Sequence, residues 1–236
     1  MSTTALLYGL AAAAANVVGA VAVTSGRRWS VDALDRMLSF AAGFLLSVAF
    51  MDLVPGAIGR GGREAAGIIL ISYLLVHITQ HTLGRHFHFG EEKHTVTPLV
   101  SRMALIGLLL HTFADGVAVA SGLLVSPALG FVVFIGVVLH KLPEGLAISS
   151  LFLAAGATRR VAVAAASALG VATLLGVLFT DLFAPLQASG LAISAGVTMY
   201  VGASNLVPEL QARGGWGTPL SFVAGCGAYF LTRAAL

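Results

Sequence analysis

Two short motifs in the middle of the chain place a histidine four residues before a carboxylate. The first contains His111 and Asp115, and the second contains His140 and Glu144. Residues four apart on a helix share one face, with roughly 6 Å between their Cβ atoms. Imidazole and carboxylate groups at this spacing can bind one cation together, and two such helices supply four ligands. This set of two nitrogens and two oxygens suits borderline divalent ions such as zinc, iron or manganese.

The same spacing has a purely structural interpretation, in which each histidine pairs with its own carboxylate and only holds two helices together. Two copies of the motif, each with a glycine after the acid, favour an ion site instead. Asp115, Lys141 and Glu144 lie inside apolar segments, where a charged group costs about 2.5 to 3.5 kcal/mol on insertion scales. Pro143 cannot donate to the carbonyl of Leu139, which leaves an acceptor free beside the second motif.

The segments that carry the motifs belong to a chain with the composition of a membrane protein. Hydrophobic residues make up 58% and charged residues 10% of its 236 residues, and the mean hydropathy is +0.94. Soluble domains carry about 25% charged residues. Because a crossing helix needs roughly 20 mostly apolar residues, we predict a single all-α domain with eight transmembrane helices at about 5–24, 37–58, 65–83, 101–124, 127–153, 160–180, 189–210 and 217–236. The longest polar stretch, 84–98, leaves no room for a soluble domain.

The basic residues predict how the chain is oriented, because short cytoplasmic loops collect lysine and arginine. Nine basic residues fall in one set of predicted loops and three in the other. We therefore expect both termini outside and the loop 84–98 in the cytoplasm, in a cell membrane or, in a bacterium, the inner membrane. This distribution also accounts for the pI of about 9.4 without a nucleic-acid partner. The expected partners are the lipid bilayer and a metal ion.

Two internal repeats relate the predicted helices. Residues 40–55 align without a gap with residues 193–208, and residues 110–121 align with residues 139–150. Each alignment joins an even-numbered and an odd-numbered segment, so the partners run in opposite directions if every segment crosses. Inverted repeats are typical of secondary transporters, whose substrate site lies near the midplane where the repeats meet.

Together these features resemble the ZIP (Zrt/Irt-like protein) family of divalent metal transporters, with the chain as a bacterial-type member. The resemblance covers the eight segments, the histidine-bearing loop after the third segment, both motifs and the two segments that end in Leu-Val-Pro. It implies a 3+2+3 helix arrangement, often dimeric, that moves divalent metal toward the cytoplasm without enzymatic activity or a cofactor. It also implies a principal transport site made of His111, Asp115, His140 and Glu144.

The chain departs from the family where many members hold a second metal ion. Thr112 replaces the usual asparagine, Lys141 occupies an often acidic or amide position, and Thr173 stands where some members have glutamate. Lys141 lies three residues before Glu144, so its ammonium group can approach that carboxylate. The two acidic ligands give −2 and Lys141 returns +1. One divalent ion makes the cluster +1, whereas a second would make it +3 at low dielectric.

This charge sum predicts a single-metal site. A neighbouring ion also favours loss of the ammonium proton of Lys141. The sequence therefore leaves open whether this side chain is a fixed charge or a titrating gate.

Four histidines outside the motifs are weaker candidates for the metal pathway. His86 and His88 lie in the loop 84–98 and could bind a released ion, or could simply be solvated. His77 and His81 lie four apart near the end of the third segment and could pass metal to that loop. Interfacial histidines without a role in transport are an equal alternative.

Three polar residues near Leu-Val-Pro sequences are further candidates. Asp52 would mark the outer entrance, and the repeat places Asn205 and Glu209 at the inner exit. The alternative is helix capping at an end terminated by proline.

Two other functions fit parts of the pattern. An intramembrane zinc-dependent hydrolase would also use histidine and carboxylate ligands, but the chain has no His-Glu-x-x-His helix and no evident separate general base. A proton-coupled carrier of another solute could use histidine and aspartate as a relay. The inverted repeats favour transport, with zinc as the first candidate substrate and cadmium, iron or manganese as further ones.

Overall fold

A computed structural model describes residues 2–25, 30–83, 97–207 and 215–236, and within these ranges the chain is helical without strands. The prediction of an all-α protein is confirmed. The helices are α1 (Thr3–Thr24), α2 (Val31–Val48), α3 (Val54–Leu83), α4 (Pro98–Val125), α5 (Pro127–Ala154), α6 (Arg159–Leu182), α7 (Ala184–Met199) and α8 (Gly217–Ala234). Short π-helical segments, Ala49–Leu53 and Tyr200–Leu206, continue α2 and α7.

Five stretches of the described residues are long and apolar enough to cross a membrane. They are Thr3–Thr24, Asp32–Gln80, Pro98–Val125, Pro127–Ala154 and Arg159–Leu182. The 49-residue stretch is divided at Gly62, whose φ of 53° lies in the left-handed region that favours glycine. The predicted helices 37–58 and 65–83 lie on either side of this glycine. Leu70, Ile71 and Leu75 are largely exposed, as expected of side chains that face lipid.

Several helices begin earlier than their apolar runs predict. α2 begins at Val31 rather than near residue 37, because Ser30 caps its first turn. α4 begins at Pro98 rather than near residue 101, with Thr97 in the same capping role. α7 begins at Ala184 rather than near residue 189. Polar caps and proline-containing first turns lie outside the hydrophobic run, so hydropathy does not detect them.

The helices pack in pairs that follow an inverted repeat. α1 packs along α5 while α6 packs along α4, and α2 packs on α8 while α7 packs on α3. α4 and α5 contact each other, as do α1 and α6. Exchange of α1 with α6, α2 with α7, α3 with α8 and α4 with α5 therefore reproduces the same set of contacts. The sequence repeats show only the α2/α7 and α4/α5 parts of this relation.

Glycines make the closest of these helix crossings. A Cβ on Gly145 would lie 2.0 Å from the backbone oxygen of Asn16 in α1. A Cβ on Gly116 would likewise lie 2.0 Å from the backbone oxygen of Thr173 in α6. Each neighbouring helix contributes a glycine in return: Gly19 of α1 lies against the backbone of α5, and Gly176 of α6 lies against the backbone of α4. Because these glycines have no side chain, α4 and α5 can lie very close to α6 and α1, and no larger residue fits at the crossings.

The two π-helical segments lie at equivalent positions in the repeat. The alignment shifts numbers by 153, so residues 49–53 correspond to residues 202–206 within the second segment. Pro55 follows the first segment and cannot donate to the carbonyl of Met51, and a wider turn relieves the clash of its ring with that group. The helix continues past Pro55 as far as the break at Gly62. The alternative prediction of a proline-terminated end with Asp52 as its cap is therefore wrong.

Candidate metal centre

Four side chains of α4 and α5 bring metal-ligating atoms together. One ligand atom from each residue lies within 4.8 Å of the others, and the residues are His111, Asp115, His140 and Glu144. None of the four is more than 9% exposed. Each motif puts its two groups on one helix face, and the contact of α4 with α5 turns the two faces toward each other. The four ligands predicted from the motifs thus lie in one buried group.

Asp115 is the centre of this group. Its Oδ2 lies 3.4 Å from His111 Nε2 on the same helix and 3.2 Å from His140 Nε2 on the neighbouring helix. The centroids of the two imidazole rings are 5.4 Å apart. One carboxylate oxygen therefore faces a ring nitrogen from each motif, an arrangement in which a bound cation can be shared by both.

The orientation of His140 makes its Nε2 available as a ligand. Its Nδ1 lies 2.9 Å from the backbone oxygen of Gly136, and because a carbonyl only accepts, Nδ1 is the donor. In a neutral ring, Nε2 then carries a lone pair that faces an oxygen of Asp115, which also accepts. A second ring proton or a shared cation removes this conflict. A backbone carbonyl behind the ring is also the usual support for a metal-ligating histidine.

Lys141 lies inside the same group and has no exposed surface. Its Nζ lies 2.6 Å from Asp115 Oδ2 and 2.7 Å from Glu144 Oε2. The sequence predicts the approach to Glu144 but not the contact with Asp115, which comes from the other helix. Hydrogen bonds to charged groups contribute about 1.5 to 3 kcal/mol each. An ion that takes these two oxygens must therefore displace a firmly held ammonium group.

The second oxygen of Glu144 is differently placed. Oε1 is buried and has no hydrogen-bond partner among the described residues. It offers an incoming ion a ligand that Lys141 does not occupy.

Thr112 and Thr173 are completely buried, and each donates its hydroxyl to its own helix. Thr112 Oγ1 lies 3.1 Å from the oxygen of Leu109, and Thr173 Oγ1 lies 3.3 Å from the oxygen of Leu169. Both positions therefore hold neutral groups that bond to the backbone. Neither adds negative charge beside the four ligands.

Asp52 lies in the first π-helical segment, where two residues of α8 satisfy its carboxylate. Tyr229 donates its hydroxyl to Oδ2 at 2.7 Å, and Arg233 Nη2 pairs with Oδ1 at 3.2 Å. The Asp52 side chain is 8% exposed, whereas that of Arg233 is 44% exposed. Asp52 is thus part of a largely neutralised pair at a helix contact, and its role at the outer entrance stays a prediction.

His77 lies on α3 beside two tyrosine rings. Its ring centroid is 6.5 Å from that of Tyr73 and 5.8 Å from that of Tyr200. It is not one of the four residues whose ligand atoms come together in the described parts of the chain. His81 lies on α3, and Asn205 lies in the second π-helical segment. The other pathway candidates fall outside the described ranges: His86, His88 and Glu209.

Asn16 is a buried polar residue that the pattern of ionisable groups does not reveal. It lies on α1 with no exposed surface, and neither amide atom has a hydrogen-bond partner among the described residues. Its backbone packs against Gly145, next to Glu144. The sequence does contain a signal for this residue, a single amide inside an apolar helix. Because an unpaired amide is costly to bury, such a residue is a candidate for a function.

A comparison with protein families places this site in context. The family model described as ZIP zinc transporter matches residues 90–228, which is more than half of the chain. The matched stretch contains α4 to α7, both motifs and the first part of α8. A comparison with curated proteins gave no match.

Proposed function

The chain belongs to the ZIP zinc transporter family, and we propose that it carries one divalent metal ion at a time through the group formed by His111, Asp115, His140 and Glu144. The family resemblance of the sequence is confirmed, and membership implies a multi-pass membrane protein that transports divalent metal. The observation that carries the proposal is the convergence of four ligand atoms to within 4.8 Å. Two imidazoles and two carboxylates buried between membrane helices suit a dehydrated cation.

Zinc is the proposed first substrate. It prefers four ligands in a tetrahedron with bonds of about 2.0 to 2.2 Å, which puts neighbouring ligand atoms about 3.4 Å apart. Ligand atoms that already lie within 4.8 Å of one another need to approach by at most about 1.4 Å to reach that geometry. Calcium would require six to eight oxygen ligands. Cadmium, iron and manganese remain further candidates because they also accept imidazole and carboxylate.

A single bound ion is proposed because of Lys141. The two carboxylates and the ammonium sum to −1, so one divalent ion brings the group to +1. A second ion would bring it to +3 in a buried setting, where repulsion is weakly screened. The neutral hydroxyls of Thr112 and Thr173 do nothing to offset that charge.

The proposed architecture has eight membrane-crossing helices in a 3+2+3 arrangement. The packing supports it, because α4 and α5 meet each other while the three helices before them pack against the three after them in exchangeable pairs. The excess of nine basic residues over three supports termini outside. The family resemblance supports transport toward the cytoplasm. All four ligands come from one chain, so the proposed site is complete without the dimer that the family resemblance implies.

Zinc uptake tests the function directly. Purified protein in zinc-free proteoliposomes should take up radioactive zinc with saturation, and a His140→Ala variant should lose about 100-fold or more of this activity. Protein-free vesicles give the background, and size-exclusion chromatography shows whether the variant is folded. Equal uptake by the two proteins would remove the transport role of this site. A panel with cadmium, iron and manganese then ranks the substrates.

Orientation has its own test. The single cysteine is replaced in a Cys226→Ala variant, and a new cysteine is introduced by Ser2→Cys. A membrane-impermeant maleimide should label this position in intact cells. Labelling only after lysis would contradict termini outside the cytoplasm.

A further inference from the structure

Asn16 offers a buried acceptor outside the four ligands, without a partner among the described residues. We propose that the amide oxygen of Asn16 receives the ammonium group of Lys141 when a divalent ion takes the carboxylates. The inference rests on the proposed function of the cluster. It makes Asn16 a positioning residue for transport, since Asn16 would act through Lys141 and not touch the ion.

The contact of α1 with α5 places Asn16 near the lysine. A Cβ on Gly145 would meet the backbone oxygen, the carbonyl carbon and the Cα of Asn16 at 2.0 to 2.9 Å. Lys141 precedes Gly145 by four residues, so both lie on the face of α5 that meets α1. Gly145 contributes no side chain between the two residues along this turn of α5.

The directions of the two helices bring the side chains closer still. Ala12 of α1 packs in a core cluster with Val137 of α5, whereas Ala20 packs in another with Ile148. The two helices therefore run in the same direction. Since the Cα–Cβ bonds of a helix tilt toward its N-terminus, the side chain of Asn16 leans from the level of Gly145 toward that of the lysine.

Lys141 needs such an acceptor. It is completely buried, and an ammonium group without a hydrogen-bond partner in an apolar interior is very costly. Zinc that binds Asp115 Oδ2 and both oxygens of Glu144 removes both of its present partners. The oxygen of Asn16 is buried and without a partner among the described residues.

In the equivalent pair of helices, α4 and α6, both the lysine and the buried amide are absent from the corresponding positions. Exchange of the helices pairs Asn16 with Thr173, shifted by 157 residues, and Thr112 with Lys141, shifted by 29 residues. On the α4–α6 side both positions are threonines whose hydroxyls bond to the backbone. Within the described residues, only the side that carries the cation has, at these two positions, a buried polar side chain without any hydrogen-bond partner.

A double-mutant cycle with zinc tests the inference. Zinc binding to the purified full-length protein is measured by equilibrium dialysis, and zinc uptake is measured in proteoliposomes. Asn16→Leu should raise the dissociation constant about tenfold when Lys141 is present, as expected for loss of a hydrogen bond to a charged group. In a Lys141→Met background, the same change should alter it by less than about twofold. Thr173→Val is the matched control, with equal effects in the two backgrounds.

Equal effects of Asn16→Leu in both backgrounds would overturn the inference, because Asn16 would then act as a ligand or through packing. No effect in either background would overturn it as well. If Asn16→Leu does not yield folded protein, Asn16→Ala removes the same acceptor and is judged by the same criteria. His140→Ala is measured alongside: zinc binding equal to that of the wild type would refute the proposed function itself, a result separate from the outcome of the cycle.

Discussion

The α1–α5 pair and the α4–α6 pair have the same backbone packing but different polar side chains. Each pair crosses at two glycines, with nearly identical close approaches. Beside the crossing, the α1–α5 pair carries Asn16 and Lys141, whereas the α4–α6 pair carries Thr173 and Thr112. A symmetric arrangement of helices therefore holds a charge on one side only. Four pairs of substitutions test this difference between the two sides.

The largest expected difference is between the two carboxylates. Asp115 contacts both histidines and Lys141, whereas Glu144 contacts Lys141 alone among the described polar partners. A charged ligand oxygen attracts a divalent cation strongly at low dielectric, and its replacement by a neutral amide removes that attraction. Asp115→Asn should therefore weaken zinc binding by more than about 100-fold, and Glu144→Gln by about tenfold. Equilibrium dialysis measures both, and equal losses would contradict a centre at Asp115.

The second expected difference between the two helix pairs is the number of zinc ions bound after substitution of Lys141 or of Thr112. Lys141→Asp changes the charge of the group from −1 to −3, so two divalent ions would bring it to +1, the value that one ion gives in the wild type. We expect two zinc ions per chain in this variant and one in the wild type, measured by elemental analysis after dialysis. Thr112→Asp, at the equivalent position, keeps the lysine and should still bind one. Two ions in the wild type would refute the single-metal site.

The glycine crossings should respond alike on the two sides. A Cβ at Gly145 or Gly116 would lie 2.0 Å from a backbone oxygen, and overpacking of this kind usually costs about 1 to 3 kcal/mol. Gly145→Ala and Gly116→Ala should therefore lower the free energy of unfolding by similar amounts, measured by denaturant titration in detergent. Gly67→Ala, with nothing within 4 Å, is the control and should not be destabilising. A strong loss of stability at only one of the two crossings would contradict the equivalence of the two helix pairs.

The smallest effect concerns stability without zinc. Asn16→Leu removes a buried amide that has no partner in the described parts of the chain, and we expect it to stabilise the zinc-free protein by about 1 kcal/mol. Thr173→Val removes a hydroxyl that is bonded to Leu169 and should be neutral or slightly destabilising. Thermal unfolding in chelator compares the two. A destabilising Asn16→Leu would indicate that the amide is already satisfied.

Much of the site is predictable because its pattern lies within single helices. A spacing of four residues places His111 with Asp115 and His140 with Glu144 on one face, whatever the rest of the fold. Contacts between helices are harder to predict, because hydropathy does not reveal which faces meet. The bond from Lys141 to Asp115 depends on such a contact.

The fold shows the same limit. The apolar runs predict where helices lie, but the turns that lead into them depend on caps such as Ser30 and Thr97. The partners of Asp52 are 177 and 181 residues further along the chain, at Tyr229 and Arg233, and no local pattern links them. The relation between α1 and α6 is also hidden in the sequence. Their equivalent positions include Asn16 and Thr173, which share little beyond being polar.

The π-helical segment after α2 has a geometrical consequence. One extra residue in a turn shifts the phase of a helix by about 100°. Before the insertion, Gly43 meets the backbone of Phe222 on α8; beyond it, Gly56 meets Leu191 on α7. The parts of the helix before and after the insertion therefore turn different faces toward their neighbours, the first toward α8 and the second toward α7. A regular α-helix without the extra residue could make only one of these two contacts.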